Sequence, residues 1–118
     1  MRMNNFEMFT RKAVNSIETA VESASQMGHT YVGTEHIILG FMQEGKNVAA
    51  SVLKANNITL NNLYDQMILF IGKGEKTHLN YDNFTPALRR ILNGASAVAN
   101  AAGTQLVGTE HIFMTLLK

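Results

Sequence analysis

Apolar residues recur at helical spacing along most of this chain. Between residues 11 and 27, Ala13, Val14, Ile17, Ala20, Val21, Ala24 and Met27 form one stripe, with Lys12, Glu18, Glu22 and Ser25 outside it. That is the pattern of a helix with one face in a core. Thr10 predicts its N-cap and Gly28 its stop. A second helix is predicted through Ile37, Ile38, Leu39, Phe41 and Met42, capped by Thr34 and closed by Gly45. A third runs from Asn47 to about Ala55 with Val48, Ala49, Val52 and Leu53 inward. Thr59 opens a fourth, whose apolar positions are Leu60, Leu63, Tyr64, Met67, Ile68, Phe70 and Ile71, ending at Gly72 or Gly74.

The periodicity lapses over residues 73–83 and then restarts. Thr85-Pro86 predicts an N-cap followed by proline at the first helical position, where a missing N–H costs nothing. The helix that follows, to about Ala102, turns Leu88, Ile91, Leu92, Ala95, Val98 and Ala99 inward; Gly94 weakens it by roughly 1 kcal/mol relative to alanine. Gly103 ends it, and Thr109 caps a last helix from Glu110 to Lys118. No strand-like run appears, so the fold class predicted is all-α.

The restart is a repetition. Gly33-Thr34-Glu35-His36-Ile37 returns as Gly108-Thr109-Glu110-His111-Ile112 at a displacement of 75, and residues 9–43 laid on 84–118 share eleven identities in thirty-five positions. A repeat of this size is one supersecondary unit that buries its apolar face against its neighbour. The organisation predicted is one domain over residues 1–118, a pseudo-twofold tandem repeat of a four-helix unit. Repeat 1 covers about 6–74, a linker about 75–83 and an incomplete repeat 2 residues 84–118, with about six helices visible.

Composition narrows the function classes. The 118 residues carry ten basic and nine acidic side chains, a formal charge of +1, with no basic run for tracking phosphates. Nucleic acid is not an expected partner. Cysteine is absent, so neither a disulfide framework nor a thiolate metal site is available, which suits a reducing cytoplasm. No stretch of eighteen apolar residues occurs and the polar start has no signal-peptide core, so no membrane association is expected.

Chemistry-bearing patterns are few. Gly40 to Asn47 approaches a phosphate-binding loop, but Asn47 stands where a hydroxyl is needed and a helix precedes it instead of a strand. Of the four histidines, His36 and His111 adjoin glutamates at adjacent positions, which on a helix point about 100° apart and do not share a face as metal ligands do. No metal site and no catalytic constellation is expected. The repeated His36 and His111 read as packing or hydrogen bonding at one place in each unit. Glu35 and Glu110, at the first helical position behind a capping threonine, complement a helix dipole, together worth around 1–2 kcal/mol. The helix starts at Thr10 and Thr85 offer backbone N–H groups to an anion. With Glu35 beside the Thr10 terminus and Glu110 beside Thr85, a ligand carrying both charges would find complementary partners.

Phe-Thr at a helix start, Gly-His, then Gly-Thr-Glu-His-Ile-Ile-Leu-Gly and Glu-Gly, largely repeated after 75 residues, resemble the N-terminal domain of Clp ATPases, closest to the ClpC type. The resemblance covers about Phe6 to Lys118. It implies a pseudo-twofold bundle of eight helices, of which a chain stopping at Lys118 holds about six. It also implies a non-enzymatic receptor that recruits substrates and adaptors of the MecA or ClpS type to an unfoldase ring feeding the ClpP protease. ATP and magnesium would belong to ATPase modules absent from this domain, which itself needs no cofactor. ClpC-like members recognise phosphorylated arginine on substrates. Carried onto this chain, Glu35 and Glu110 would take the guanidinium, with Thr10 and Thr85 near the phosphate. Unfolded proteins are the other implied substrate class. Two further readings are a free-standing Clp accessory protein and a ClpB-like disaggregase domain that grips apolar segments. The chain departs from the family pattern at Met8 and at Thr104-Gln105.

Overall fold

The computed structural model describes residues 6–118, and every regular element in it is helical. The helices are α1 (Arg11–Gln26), α2 (Thr34–Glu44), α3 (Val48–Ala55), α4 (Leu60–Ile71), α5 (Pro86–Ala101) and α6 (Thr109–Leu116), with a 3₁₀ turn at Tyr81–Asn83. The most extensive packing is α1 on α2 and α5 on α6, so each repeat opens with a helical hairpin. Gly28 makes the first hairpin's turn at φ 76°, and a β-carbon there would also strike the backbone of Gly74 and Glu75. Among the described residues no helix is long and apolar enough to cross a membrane.

The two repeats are joined reciprocally. The extended residue before α1 bridges to the second repeat, Phe9 to Val107, and the residue before α5 bridges to the first, Phe84 to Val32. Thr10 N–H donates to Val107 O at 2.8 Å and Val107 N–H to Met8 O at 2.7 Å. Val32 N–H donates to Asn83 O and Thr85 N–H to Val32 O, both at 2.9 Å. One core then runs through both hairpins, with Ala13, Ile17, Ala20 and Ala24 of α1, Leu88, Leu92, Ala95 and Ala99 of α5, and Val32, Ile37, Val107 and Ile112. Phe6 and Tyr81, equivalent under the repeat, meet edge to face at 5.9 Å and extend the internal symmetry upstream of residue 9.

Several inward assignments change. On α3, Ala50 is buried while Val48 and Val52 are exposed, because this helix packs mainly on α2 and α6. On α4 Phe70 is 79% exposed and Leu60 is also exposed; the helix rests on α2 and buries Met67 against Met27 and Leu39. Ser25, placed outside the stripe, is buried because the segment after Gly74 lies over it: Leu79 N–H donates to its Oγ at 3.1 Å and Thr77 N–H to its carbonyl at 2.9 Å. Met114 of α6 and Leu117, its C-cap, are 52% and 72% exposed, whereas their equivalents Leu39 and Met42 are 0% and 4% exposed beneath α3 and α4.

Each hairpin has a small residue where its helices cross. In repeat 1 it is Gly40, where a β-carbon would overlap the Ser16 carbonyl oxygen and crowd Ala20. In repeat 2 the position equivalent to Gly40 is Thr115, and the room comes from Gly94, whose added β-carbon would meet only Thr115 Cγ2 at 3.3 Å. Overpacking a core usually costs about 1–3 kcal/mol, so Gly40→Ala is expected to lower the unfolding free energy by at least about 1 kcal/mol, read as a lower urea midpoint at unchanged m-value. Gly94→Ala should stay within about 1 kcal/mol of the parent, its helix-propensity gain offsetting the threonine contact. Urea unfolding followed by far-UV circular dichroism compares the two, and an equal loss in both would contradict this account of the crossings.

Candidate functional site

The threonines at the first helix of each repeat cap as expected. Thr10 Oγ1 accepts from Ala13 N–H at 3.2 Å and Thr85 Oγ1 from Leu88 N–H at 3.1 Å. An α-helix leaves its first N–H groups without intrahelical acceptors, so α1 presents those of Arg11 and Lys12. At α5 Pro86 has no N–H to present.

The second helix of each repeat starts differently from expectation. The N-caps are Gly33 and Gly108, Thr34 and Thr109 are the first helical residues, and Glu35 and Glu110 the second. Neither threonine caps its own helix. Thr109 is buried, and its Oγ1 lies 3.4 Å from Ala49 N, in the first turn of α3. The residue that closes the helix start is histidine: Gly33 N–H donates to His36 Nδ1 and Gly108 N–H to His111 Nδ1, each at 2.8 Å. This is the reciprocal half of a capping box, with imidazole where glutamate or glutamine usually serves. The expectation of a hydrogen-bonding role for the repeated histidine is met. Glu35 and Glu110 fold back over these glycines, and a β-carbon on Gly33 or Gly108 would overlap the carboxylate. The backbone at both positions is extended, so the glycines serve to leave room for the folded-back carboxylates and not to permit an unusual φ.

In repeat 1 the imidazole belongs to a relay. His36 Nε2 and His29 Nδ1 are 2.7 Å apart, and His29 Nε2 lies 2.8 Å from Gly72 O, the C-cap of α4. An amide must donate and a carbonyl must accept, so the directions follow: Gly33 N–H to His36, His36 Nε2–H to His29, His29 Nε2–H to Gly72. Both rings are neutral, and a second proton on either Nδ1 breaks a link. The Glu35 carboxylate, 3.8 Å from His36 Nδ1, therefore faces an acceptor nitrogen and makes no ion pair with it. Burial foremost, with His29 adding to it, lowers the His36 pKa from 6.5 to about 4. Tyr31 packs against both rings, centroids 6.2 Å from His29 and 5.3 Å from His36. Its hydroxyl reaches toward Glu35 Oε2 at 3.5 Å. Desolvation first, then the charge of Glu35 and this contact, raise the Tyr31 pKa. Neither His29 nor Tyr31 stood out in the sequence; the signal was the seven-residue spacing from His29 to His36.

The loops that lead to the two glutamates are bonded across the repeats. Thr10 hydrogen-bonds to Val107, three residues before Glu110, and Thr85 to Val32, three residues before Glu35. The loop leading to Glu110 is thus tied to the entry of α1 and the loop leading to Glu35 to the entry of α5, across the repeats. All four side chains are partly accessible. Between the two entry segments lies a pocket of 160 Å³ lined by Phe6, Phe9, Tyr81, Phe84 and Arg89 among others. Arg89 sits 5.0 Å from the centroid of the Tyr81 ring and donates to Tyr81 O and Phe84 O at 3.0 and 3.2 Å.

The segment resembling a phosphate-binding loop is a helix-to-helix turn. Gly45 closes α2 at φ 80°, and Asn47 caps α3, accepting from Ala50 N–H at 2.8 Å while donating to Phe41 O at 2.9 Å and Glu44 Oε1 at 2.7 Å. Among the described residues no three His, Asp or Glu side chains are grouped to hold a metal ion.

Because the folded His36 pKa lies below the unfolded value, the unfolded chain binds the additional proton first. The relay's contribution is complete above about pH 6.5 and falls as pH drops toward about 4. The expected loss is on the order of 2–3 kcal/mol. Urea titrations across this range should show stability falling with pH in the parent and a flatter profile in His36→Gln; parallel profiles would contradict the neutral relay.

Comparison with known proteins agrees with this architecture. The family model described as the Clp repeat (R) N-terminal domain matches residues 8–118. A ClpA-homologue ATP-binding subunit of an ATP-dependent Clp protease from Porphyra purpurea is 39% identical over 113 residues, 96% of this chain and 14% of that protein. The chloroplastic chaperone protein ClpC of Pisum sativum is 38% identical over 96% of this chain and 12% of its own. The chain thus spans about one seventh or less of these relatives. In fold it is similar to the N-terminal domain of ClpD from Arabidopsis thaliana, with a TM-score of 0.75, 21% identity and coverage of 96% of this chain and 77% of that one. The N-domain of ClpV from Vibrio cholerae gives 0.76 at 18% identity, covering 99% and 72%. A family match over nearly the whole chain, on a fold shared with solved Clp N-domains, means that the protein belongs to the Clp repeat N-terminal domain family.

Proposed function

We propose that this domain is a non-catalytic receptor of a Clp ATPase, binding MecA-like or ClpS-like adaptors and unfolded or arginine-phosphorylated substrates for an unfoldase that feeds a ClpP-type protease. It hydrolyses nothing and holds no cofactor; ATP and magnesium are used by ATPase modules elsewhere in such proteins. Relatives named as chloroplastic make the family compatible with a chloroplast as well as a cytoplasmic location.

The observation that carries the ligand class is the bonding across the repeats. The loop that precedes each partly accessible glutamate, Glu35 or Glu110, is bonded to the segment that enters the first helix of the other repeat, which supports a site combining that carboxylate with that helix start. A phosphoguanidinium combines a planar cation with an anion in one side chain. Carboxylate accepts the guanidinium in a two-pronged hydrogen bond, and the N–H groups of a helix start take the phosphate. A free carboxylate or a free ammonium ligand would use only half of this arrangement.

Isothermal titration of free phosphoarginine into the chain and into Glu35→Ala, Glu110→Ala tests the reading. The expected outcome is heat of binding in the parent and its loss in the double variant, which stays folded with a melting temperature lowered only by the few degrees that two lost helix-start charges cost. Silence in both, with intact folding, would remove phosphoarginine from the ligand class and leave adaptor binding as the remaining role.

A further inference from the structure

The two carboxylates sit on equivalent backbones but in different surroundings. Glu35 faces the Tyr31 hydroxyl, and the Tyr31 ring packs against His29 and His36, whose own rings are locked by the relay from Gly33 to Gly72. Under the displacement of 75 residues, His29 becomes Thr104 and Tyr31 becomes Leu106. The second unit therefore keeps the Gly108 to His111 bond but has no imidazole partner at residue 104 and no hydroxyl at residue 106. Leu106 is exposed, where Tyr31 is partly buried. A carboxylate steered before the ligand arrives binds more tightly than one that must be ordered by it.

Resting on the reading of Glu35 and Glu110 as guanidinium acceptors, we propose that the half-sites are unequal: Glu35 is the principal guanidinium acceptor, Tyr31 is its positioning residue, and Glu110 is a weak second site. Tyr31 touches no ligand in this account. It acts by fixing the orientation of the carboxylate through one lone pair of Oε2, which leaves both oxygens with lone pairs for a two-pronged bond to the cation. Removing one hydrogen bond to a charged group changes affinity by about two- to tenfold at a partly exposed site. The pair of replacements in repeat 2 is expected to separate the sites by about tenfold or more.

Amide NMR of the whole chain titrated with free phosphoarginine reads both sites at once, through Gly33 to Glu35 and through Gly108 to Glu110. The expected result is saturation at the first set at about tenfold lower concentration than at the second. Tyr31→Phe keeps the ring packing and should weaken only the first set, by about two- to tenfold, with no change in melting temperature. Thr104→His with Leu106→Tyr should bring the second set toward the affinity of the first. Equal saturation of both sets, earlier saturation at Glu110, or a Tyr31→Phe loss shared by both sites would overturn the inequality while leaving the ligand class standing. An absence of shifts at both sets would overturn the ligand class and the inequality with it.

Discussion

Four backbone hydrogen bonds exchanged between the entry segment of one repeat and the pre-helical loop of the other hold the rest of the molecule in register. Val32 and Val107, both buried, lie at their centre. A buried extended residue must find partners for its N–H and C=O, and each valine finds them only in the opposite repeat. The hairpins therefore can neither slide past one another nor separate without exposing polar backbone. The shared core, the aromatic cluster of Phe6, Phe9, Tyr81 and Phe84, and the position of each carboxylate loop against the other repeat's helix start all follow from this pairing.

The sequence makes the helices legible because their stripes are long and their ends are marked. Thr10, Thr59 and Thr85 cap as read, and Gly45 and Gly72 terminate as read. What was not legible is tertiary. Thr34-Glu35 looks like a cap followed by a dipole-matched acid, yet the cap is glycine and the reciprocal bond comes from His36, a residue type with weak capping statistics. Thr109 faces α3 of the other repeat. Exposed apolar residues on α4 satisfy the periodicity without a surface to meet. The repeat announces two similar units but says nothing of their interlocking through Val32 and Val107.

Divergence between the repeats shows which features are structural and which are local. The Gly-Thr-Glu-His-Ile segment is retained in both because its glycine makes room for the carboxylate, its histidine closes the helix start and its isoleucine enters the core. At the hairpin crossing the first repeat needs Gly40, where a β-carbon would strike the Ser16 carbonyl, while in the second repeat a β-carbon on Gly94 would meet only the Thr115 methyl group. Around the carboxylates, by contrast, one repeat has an aromatic and imidazole surround and the other has threonine and leucine. Family membership is consistent with that division, since the retained residues are those that build the fold.

The bridge between Met8–Thr10 and Val107 also sets an order of events during synthesis. Its two sides are separated by about a hundred residues, so at typical elongation rates the first side waits roughly 5–20 s for the second to be made. Until then the α1–α2 hairpin lacks the part of the shared core that Leu88, Leu92, Val107 and Ile112 supply. The bridge at Val32 needs only residues 83–85 and can close first, so the two halves of the interlock become available one after the other, in chain order.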